Sequence, residues 1–238
     1  TYNNLGTCLQ KVGRLDESVE SYEKAILLKP NIPEYHYNLG VSLKLQGKFE
    51  QAILSYQKTI LLKPEFTPAY NNLGNILLKL NKLKEAKICF KKATLLNPNY
   101  TEAFNNLAVT LHKMGQLSEA SENYKKAIEI NPNNEIAYHN LAVANENLEN
   151  YNKALAFYKK ALDLNPSYDN SYRGIGDVLN ELEQYDEAIK NYEKVIDLNP
   201  SNEWYFNGLG NSYFGLGTCS YIRFILMVIL RLNSKISY

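Results

Sequence analysis

Asparagine recurs at a fixed step in this chain. Asn4, Asn38, Asn72, Asn106 and Asn140 each stand 34 residues from the next. A primary amide carries a donor and an acceptor on one planar group. It can hold the N–H and C=O of an extended peptide together, whatever side chains that peptide carries. Five such amides in line would form a ladder for polypeptide. The competing reading is that Asn is a tolerated surface residue in a chain rich in it. Asn is a poor helix-interior residue and offers the backbone competing hydrogen bonds. The reading therefore depends on which element presents these amides, and on which face.

Other side chains capable of chemistry are sparse. Cys8, Cys89 and Cys219 are far apart and odd in number, and no CxxC pair occurs. Neither a disulfide framework nor a zinc site is expected, and a reducing compartment is. His36, His112 and His139 have no Cys or acidic residue at ligand spacing. His112 and His139 are expected as polar surface residues on or near the same free face as the asparagines. No GxSxG, HExxH or phosphate-binding loop occurs, and the glycines and lysine of "GVSLKLQGKF" (40–49) are wrongly spaced for one. The triplet "NYT" at Asn99 would matter only on a secretory route. No catalytic residue, metal site or cofactor is expected.

The bulk composition agrees. At 45% apolar and 21% charged the chain is ordinary globular material, and a formal charge of +1 excludes the global basic surface of a nucleic-acid binder. Residue 1 is Thr and no signal peptide precedes the pattern. The chain is expected to be a fragment that starts inside a structural unit. The expected location is intracellular, cytoplasmic or nuclear, with any signals able to lie upstream.

The elements that must position the asparagines follow from the prolines. Pro30, Pro64, Pro98, Pro132, Pro166 and Pro200 share the 34-residue step, which marks a solenoid of repeats. Let that proline be position 32 of each unit. Position 4 is then Tyr2, His36, Tyr70, Phe104, Tyr138, Tyr172 and Phe206. Position 7 is Leu or Ile, and position 8 is Gly6, Gly40, Gly74, Ala108, Ala142, Gly176 and Gly210. Position 20 is Ala or Ser, position 24 is Tyr or Phe, and position 27 is mostly Ala. Positions 4, 7, 8 and 11 form one apolar stripe on a helix A, and 20, 24, 27 and 28 form another on a helix B. Turn formers such as "LQGKF" and "KMGQL" separate them. The residue before proline is pushed out of the αR region, which ends helix B. Thr67-Pro68 predicts an N-cap with Pro at the first helical position. The aromatics at 4 and 24 are expected to fill the core between stacked units.

These residues match the W-L-G-Y…A-F-A-P pattern of the tetratricopeptide repeat, with Tyr or Phe in the Trp position. The chain resembles that family over residues 1 to about 217, as six repeats and the first helix of a seventh. The resemblance implies an all-α, right-handed α-solenoid of helix-turn-helix repeats in which helix A lines a concave groove. "AYNNLGNILLKLNKLKEAKICFKKATLLNP" (69–98) is also similar to repeats in the superhelix of O-linked N-acetylglucosamine transferases. There an asparagine ladder holds extended polypeptide.

On a helical wheel, positions 2, 6, 9 and 13 fall roughly opposite the buried stripe. Position 6 is the asparagine column, and it ends at Gly174 and Gly208. The resemblance therefore implies a peptide-binding face of Asn4, Asn38, Asn72, Asn106 and Asn140, joined by Asn75, Val109 and Val143 at position 9 and by Lys79 and Lys113 at position 13. The middle of this face is mildly apolar and basic and turns acidic toward Asp177 and Glu181. A generic solvated face is the alternative. The carboxylate clamp of chaperone-binding members is not supported, because position 2 is never basic and position 5 is basic only at Arg173. Asn71, at position 5, is read as a residue on the flank of helix A, and Asn72 as exposed.

After Gly217 the repeat pattern stops. Residues 218–238 hold three of the 26 basic side chains and none of the 25 acidic ones, which leaves the repeats at −2. A membrane span needs about 20 apolar residues, and the run Phe224 to Leu230 has seven. A native capping helix and an artefact of the gene model are the remaining readings of this divergent apolar and basic tail. The functional expectation is a scaffold or adaptor that binds a protein or peptide partner, with no nucleic acid and no membrane span. The alternative is the substrate-recognition arm of an O-linked glycosyltransferase whose catalytic domain lies outside this chain.

Overall fold

The computed structural model describes residues 2–217 together with Tyr221 and Ile225. Apart from those two residues, the divergent tail lies outside the described residues. Among the described residues the secondary structure is helical throughout. The helices are α1 (Tyr2–Lys11), α2 (Leu15–Leu28), α3 (Pro33–Leu45), α4 (Phe49–Leu62), α5 (Thr67–Lys79), α6 (Leu83–Leu96) and α7 (Thr101–Lys113). They continue as α8 (Leu117–Ile130), α9 (Glu135–Glu146), α10 (Tyr151–Leu164), α11 (Asp169–Glu181), α12 (Tyr185–Leu198) and α13 (Glu203–Gly215). Odd-numbered helices are the A helices and even-numbered ones the B helices, as the 34-residue period requires. The fold is an all-α solenoid of helix-turn-helix repeats. Its helices fall into two compact units, residues 1–130 and residues 131–238.

Each helix ends for a readable reason. The residue before the repeating proline is extended, with φ between −145° and −135° at Lys29, Lys63, Asn97, Asn165 and Asn199. This is the conformation that proline forces on its predecessor. The A-to-B turn uses position 15 with positive φ: Gly13, Gly47, Gly115 and Gly217, and also Asn81 (58°), Glu149 (58°) and Glu183 (59°). Glycine and asparagine tolerate this region, whereas Glu costs roughly 1–2 kcal/mol there. Glu183→Gly is therefore expected to raise stability by about 1 kcal/mol, measurable as a higher denaturant midpoint at unchanged slope. The predicted cap at Thr67 is corrected. Thr67 is the first residue of α5, Phe66 holds the cap position, and the Thr67 hydroxyl turns back to the Glu65 carbonyl at 3.4 Å. Asparagine caps two A helices instead: Asn134 accepts from Ala137 N–H, and Asn202 from Trp204 N–H.

The core is built around position 24. Tyr22, Tyr56, Phe90, Tyr124, Tyr158 and Tyr192 are at most 1% exposed. The small residue at position 8 of the same repeat makes room for each ring. A Cβ added to Gly6, Gly40, Gly74 or Gly176 would lie 2.7–2.8 Å from the ring of Tyr22, Tyr56, Phe90 or Tyr192. Position 20 is fully buried, and where Ser18 replaces Ala its hydroxyl bonds Gly6 O and Ser42 Oγ, both at 2.9 Å. The position-4 aromatics are less buried than the pattern predicts: His36 is in the core, while Tyr70, Phe104, Tyr138, Tyr172 and Phe206 are half-buried. Position 3 takes the deep place instead, at Ala69, Ala103, Ala137, Ser171 and Tyr205.

Candidate functional site

Every residue of the expected peptide-binding face lies on an A helix. In the first unit Asn4 is exposed on α1, and Asn38, Asn72 and Asn106 are half-buried on α3, α5 and α7. Asn75 and Val109 are half-buried beside them, and Lys79 and Lys113 are exposed at the ends of their helices. In the second unit Asn140 and Val143 are half-buried on α9.

The amides of the first unit are cross-linked. Asn38 Nδ2 donates to Asn3 Oδ1 at 3.1 Å, and Asn72 Nδ2 donates to the Tyr37 hydroxyl at 2.9 Å. Asn106 Nδ2 donates to Asn71 Oδ1 at 3.1 Å and Asn75 Oδ1 at 3.0 Å. Each position-6 amide thus reaches the position-5 side chain of the preceding repeat, one period plus one residue away. Two readings are corrected by this. Asn72 is not simply exposed, since its amide sits between Tyr37 and the Lys44 ammonium, which donates to Asn72 Oδ1 at 3.3 Å. Asn71 is no flank residue: it is 4% exposed and accepts from Asn106. Burial holds the Lys44 pKa below its usual value and pushes that of Tyr37 up. Tyr37 also packs against Phe66, with ring centroids 5.0 Å apart. Sequence reasoning missed position 5. Its signal was a column that is polar or polar-tipped in all seven repeats: Asn3, Tyr37, Asn71, Asn105, His139, Arg173 and Asn207.

Lys79 is not a free cation of the face, because its ammonium stands 4.6 Å from the centroid of the Phe49 ring. A cleft of about 510 Å³ opens at the inter-repeat turns of this unit, lined by Lys63, Phe66, Pro68, Asn97 and Tyr100.

In the second unit the amide column gives way to glycine, and a tyrosine ring fills the space. The Tyr158 ring lies where the side chain of residue 174 would be: a Cβ there would come 2.3 Å from Tyr158 Cζ. Tyr192 stands the same way over Gly208. Both hydroxyls donate to carboxylates of their own repeats, Tyr158 to Glu146 and Tyr192 to Asp177. Burial raises the Glu146 pKa and both tyrosine pKa values. Asp177 also faces Arg173 at 3.5 Å. A cavity of about 360 Å³ is bounded by Asp177, Asn180, Glu181, Tyr185, Tyr192 and Asn211.

The histidines divide. His36 Nε2 lies 2.7 Å from Pro30 O, inside the core. His112 is half-buried, and burial followed by Lys113 lowers its pKa. The surface reading of His139 is corrected. It is 8% exposed, its Nδ1 is 3.0 Å from Ser171 Oγ, and its ring packs on Tyr158 and Tyr168. His139, at position 5, is covered by Ser171 at position 3 of the next A helix, which a wheel of one isolated helix cannot show. Cys8 is exposed, and Cys89 is half-buried with its thiol pushed up to about 11 by burial and by Glu85. Such a thiol is almost entirely protonated at neutral pH and unsuited to nucleophilic work. Among the described residues no group of three or more His, Cys, Asp or Glu is placed to hold a metal, and no helix is long and apolar enough to cross a membrane.

Comparison with known proteins identifies the repeats. A family model described as "TPR repeat" matches residues 6–47, 111–149 and 176–217. Models described as "Tetratricopeptide repeat" match 33–66, 67–100, 136–168 and 89–120. No curated protein matches the chain in sequence. Among solved structures the chain is similar to YrrB, reported as a TPR protein with an unusual peptide-binding site: TM-score 0.70, 23% identity, 79% of this chain and 97% of that one. It is also similar to MamA, with TM-score 0.64, 28% identity and coverage of 67% and 93%. The PilF protein of Pseudomonas aeruginosa gives TM-score 0.74, 20% identity and coverage of 86% and 93%.

Proposed function

Because the chain belongs to the tetratricopeptide repeat family, whose members bind protein or peptide partners, we propose that it is a scaffold or adaptor whose A helices take an extended segment of a partner. The observation that carries this reading is the cross-linked amide column of the first unit. Asn38, Asn72 and Asn106 are each fixed through Nδ2 by a neighbouring repeat. Their orientations are set before a partner arrives, which lowers the entropy cost of binding. Asn106 spends both Nδ2 protons on Asn71 and Asn75 and is left with its carbonyl oxygen as the group to offer. Asn72 Oδ1 holds only the Lys44 ammonium, at 3.3 Å, which a peptide N–H can replace. The ladder of the first unit is thus mainly a row of acceptors for peptide N–H groups, with Val109 offering apolar contact and Lys113 favouring an acidic residue of the partner. In the second unit Asn140 and Val143 hold the same positions on α9, and Asp177 and Glu181 favour a basic residue.

The test uses peptides selected from a random display library against the full chain. The triple variant Asn72→Ala, Asn106→Ala and Asn140→Ala is expected to weaken peptides held by the first unit by about 25-fold and those held by the second by about fivefold, at roughly 1 kcal/mol for each net hydrogen bond. Helicity by circular dichroism should stay unchanged. Full affinity in the folded triple variant would remove the ladder from the mechanism.

A further inference from the structure

The B helices of the first unit carry a second surface, on the side turned away from the core. Positions 22, 25, 26 and 29 fall roughly opposite the buried stripe of positions 20, 24, 27 and 28. On α4 they are Leu54, Gln57, Lys58 and Leu61, on α6 they are Ile88, Lys91, Lys92 and Leu95, and α2 adds Lys24 and Leu27. Leu27, Leu54, Leu61, Ile88 and Leu95 are between 65% and 84% exposed, and the four lysines are exposed with them. Scattered exposed leucines need no explanation, but five aliphatic side chains at one repeating register form a patch, and such patches mark interaction surfaces. The register is specific to these repeats. On α8 the same positions 22 and 29 are Glu122 and Glu129, and the apolar face ends there. Glu20 and Glu23 on α2 are the acidic residues at these positions before it.

The composition of the face discriminates between occupants. Protein interfaces concentrate aromatic residues, Met and Arg, are depleted of Lys, and rarely use Leu as a hot spot. This face has no aromatic, Met or Arg at its core, only Leu, Ile and Lys. Neither of the two clefts described above opens among these residues. Aliphatic side chains beside lysine ammonium groups suit a fluid, negatively charged surface: the aliphatic groups enter the acyl boundary and the lysines meet headgroup phosphates. The unit that carries the face has 17 basic and 12 acidic side chains over residues 1–130, so its net charge of +5 is of the attracting sign.

We infer that the outer face of α4 and α6, flanked by α2, docks reversibly on an anionic lipid surface. Such docking crosses no membrane and leaves the A-helix face turned to the other side of each repeat. Its probe is the full chain mixed with vesicles of phosphatidylcholine alone, or of phosphatidylcholine with one quarter phosphatidylserine, and read by flotation. The chain is expected to float with the phosphatidylserine vesicles at low salt and to be released at molar salt. Lys58→Ala, Lys91→Ala and Lys92→Ala together should weaken partition about a hundredfold, since each lysine near such a surface contributes about fivefold. Leu54→Ser, Leu61→Ser and Ile88→Ser together should weaken it at least about tenfold. All six side chains are exposed, so these variants keep their cores, and helicity confirms it. Failure of the wild type to float, equal binding to neutral vesicles, or full binding by the leucine variants would each overturn the proposal. So would sedimentation velocity showing a dimer that the leucine substitutions dissolve, because the face would then be a contact between copies.

Discussion

Placing asparagine at residue 174, where the amide column would continue, is expected to destabilise the second unit by about 3 kcal/mol. Gly174 is inside α11, where replacing glycine normally stabilises a helix by up to about 1 kcal/mol. Here the gain is outweighed. A Cβ on residue 174 would lie 2.3 Å from Tyr158 Cζ and 2.7 Å from its hydroxyl oxygen, so the ring has to leave its site. Overpacking of this kind costs typically 1–3 kcal/mol. A displaced Tyr158 also gives up its bond to Glu146, a carboxylate that burial has already pushed toward its protonated form. A hydrogen bond to a charged group is worth roughly 1.5–3 kcal/mol, which sets the expected total. Equilibrium unfolding in urea checks the magnitude. Tyr158→Leu supplies the control, since removing the outer ring atoms and the hydroxyl takes away the clash. Gly174→Asn should cost clearly less in that background, and the coupling of the double-mutant cycle reports the contact directly. Equal cost in both backgrounds would mean that the new side chain does not meet the Tyr158 ring.

This residue pair also marks the boundary of what the sequence makes legible. The period, the helix pairs and the position-24 core follow from spacing alone, because proline, the small residue and the aromatic repeat in nearly every unit. Side chains that meet across repeats do not follow from it. Asn71 and Asn72 are neighbours in sequence at about 100° to each other, and a single-helix wheel places one on a flank and the other in solvent. The stack then lays the next A helix against position 5. Asn71 becomes 4% exposed, and Asn106, 35 residues on, donates to it. His139 occupies the same position and is covered by Ser171. The halt at Gly174 and Gly208 was visible as a gap in a column, but what fills that gap is a tyrosine ring from the previous B helix, which no spacing within the A helices encodes. What sequence conveyed was the face, and what it left out was how much of that face each repeat already uses on its neighbour.

His139 gives the second large effect, through pH. Burial, then Arg173, lower its pKa from 6.5 to about 4, with Asp169 acting weakly in the other direction. The sign follows from where the proton is bound. In the folded chain the imidazole stays neutral down to about pH 4, whereas in the unfolded chain it takes a proton near 6.5. The unfolded state therefore binds more protons between those values, and stability falls as pH drops through that window. The contribution is fully present above about 6.5 and lost by about 4, amounting to roughly 3 kcal/mol at about 1.4 kcal/mol per pH unit. Glu146 works against this trend, because burial raises its pKa and makes the folded state the better proton acceptor. The two are separated by His139→Gln, which keeps a polar group able to meet Ser171 and removes the titration. The stability difference between wild type and His139→Gln, measured by urea unfolding from pH 7 to pH 4, should shrink by about 3 kcal/mol on the wild-type side. A difference that stays flat would mean that the Tyr158–Tyr168 niche accepts an imidazolium.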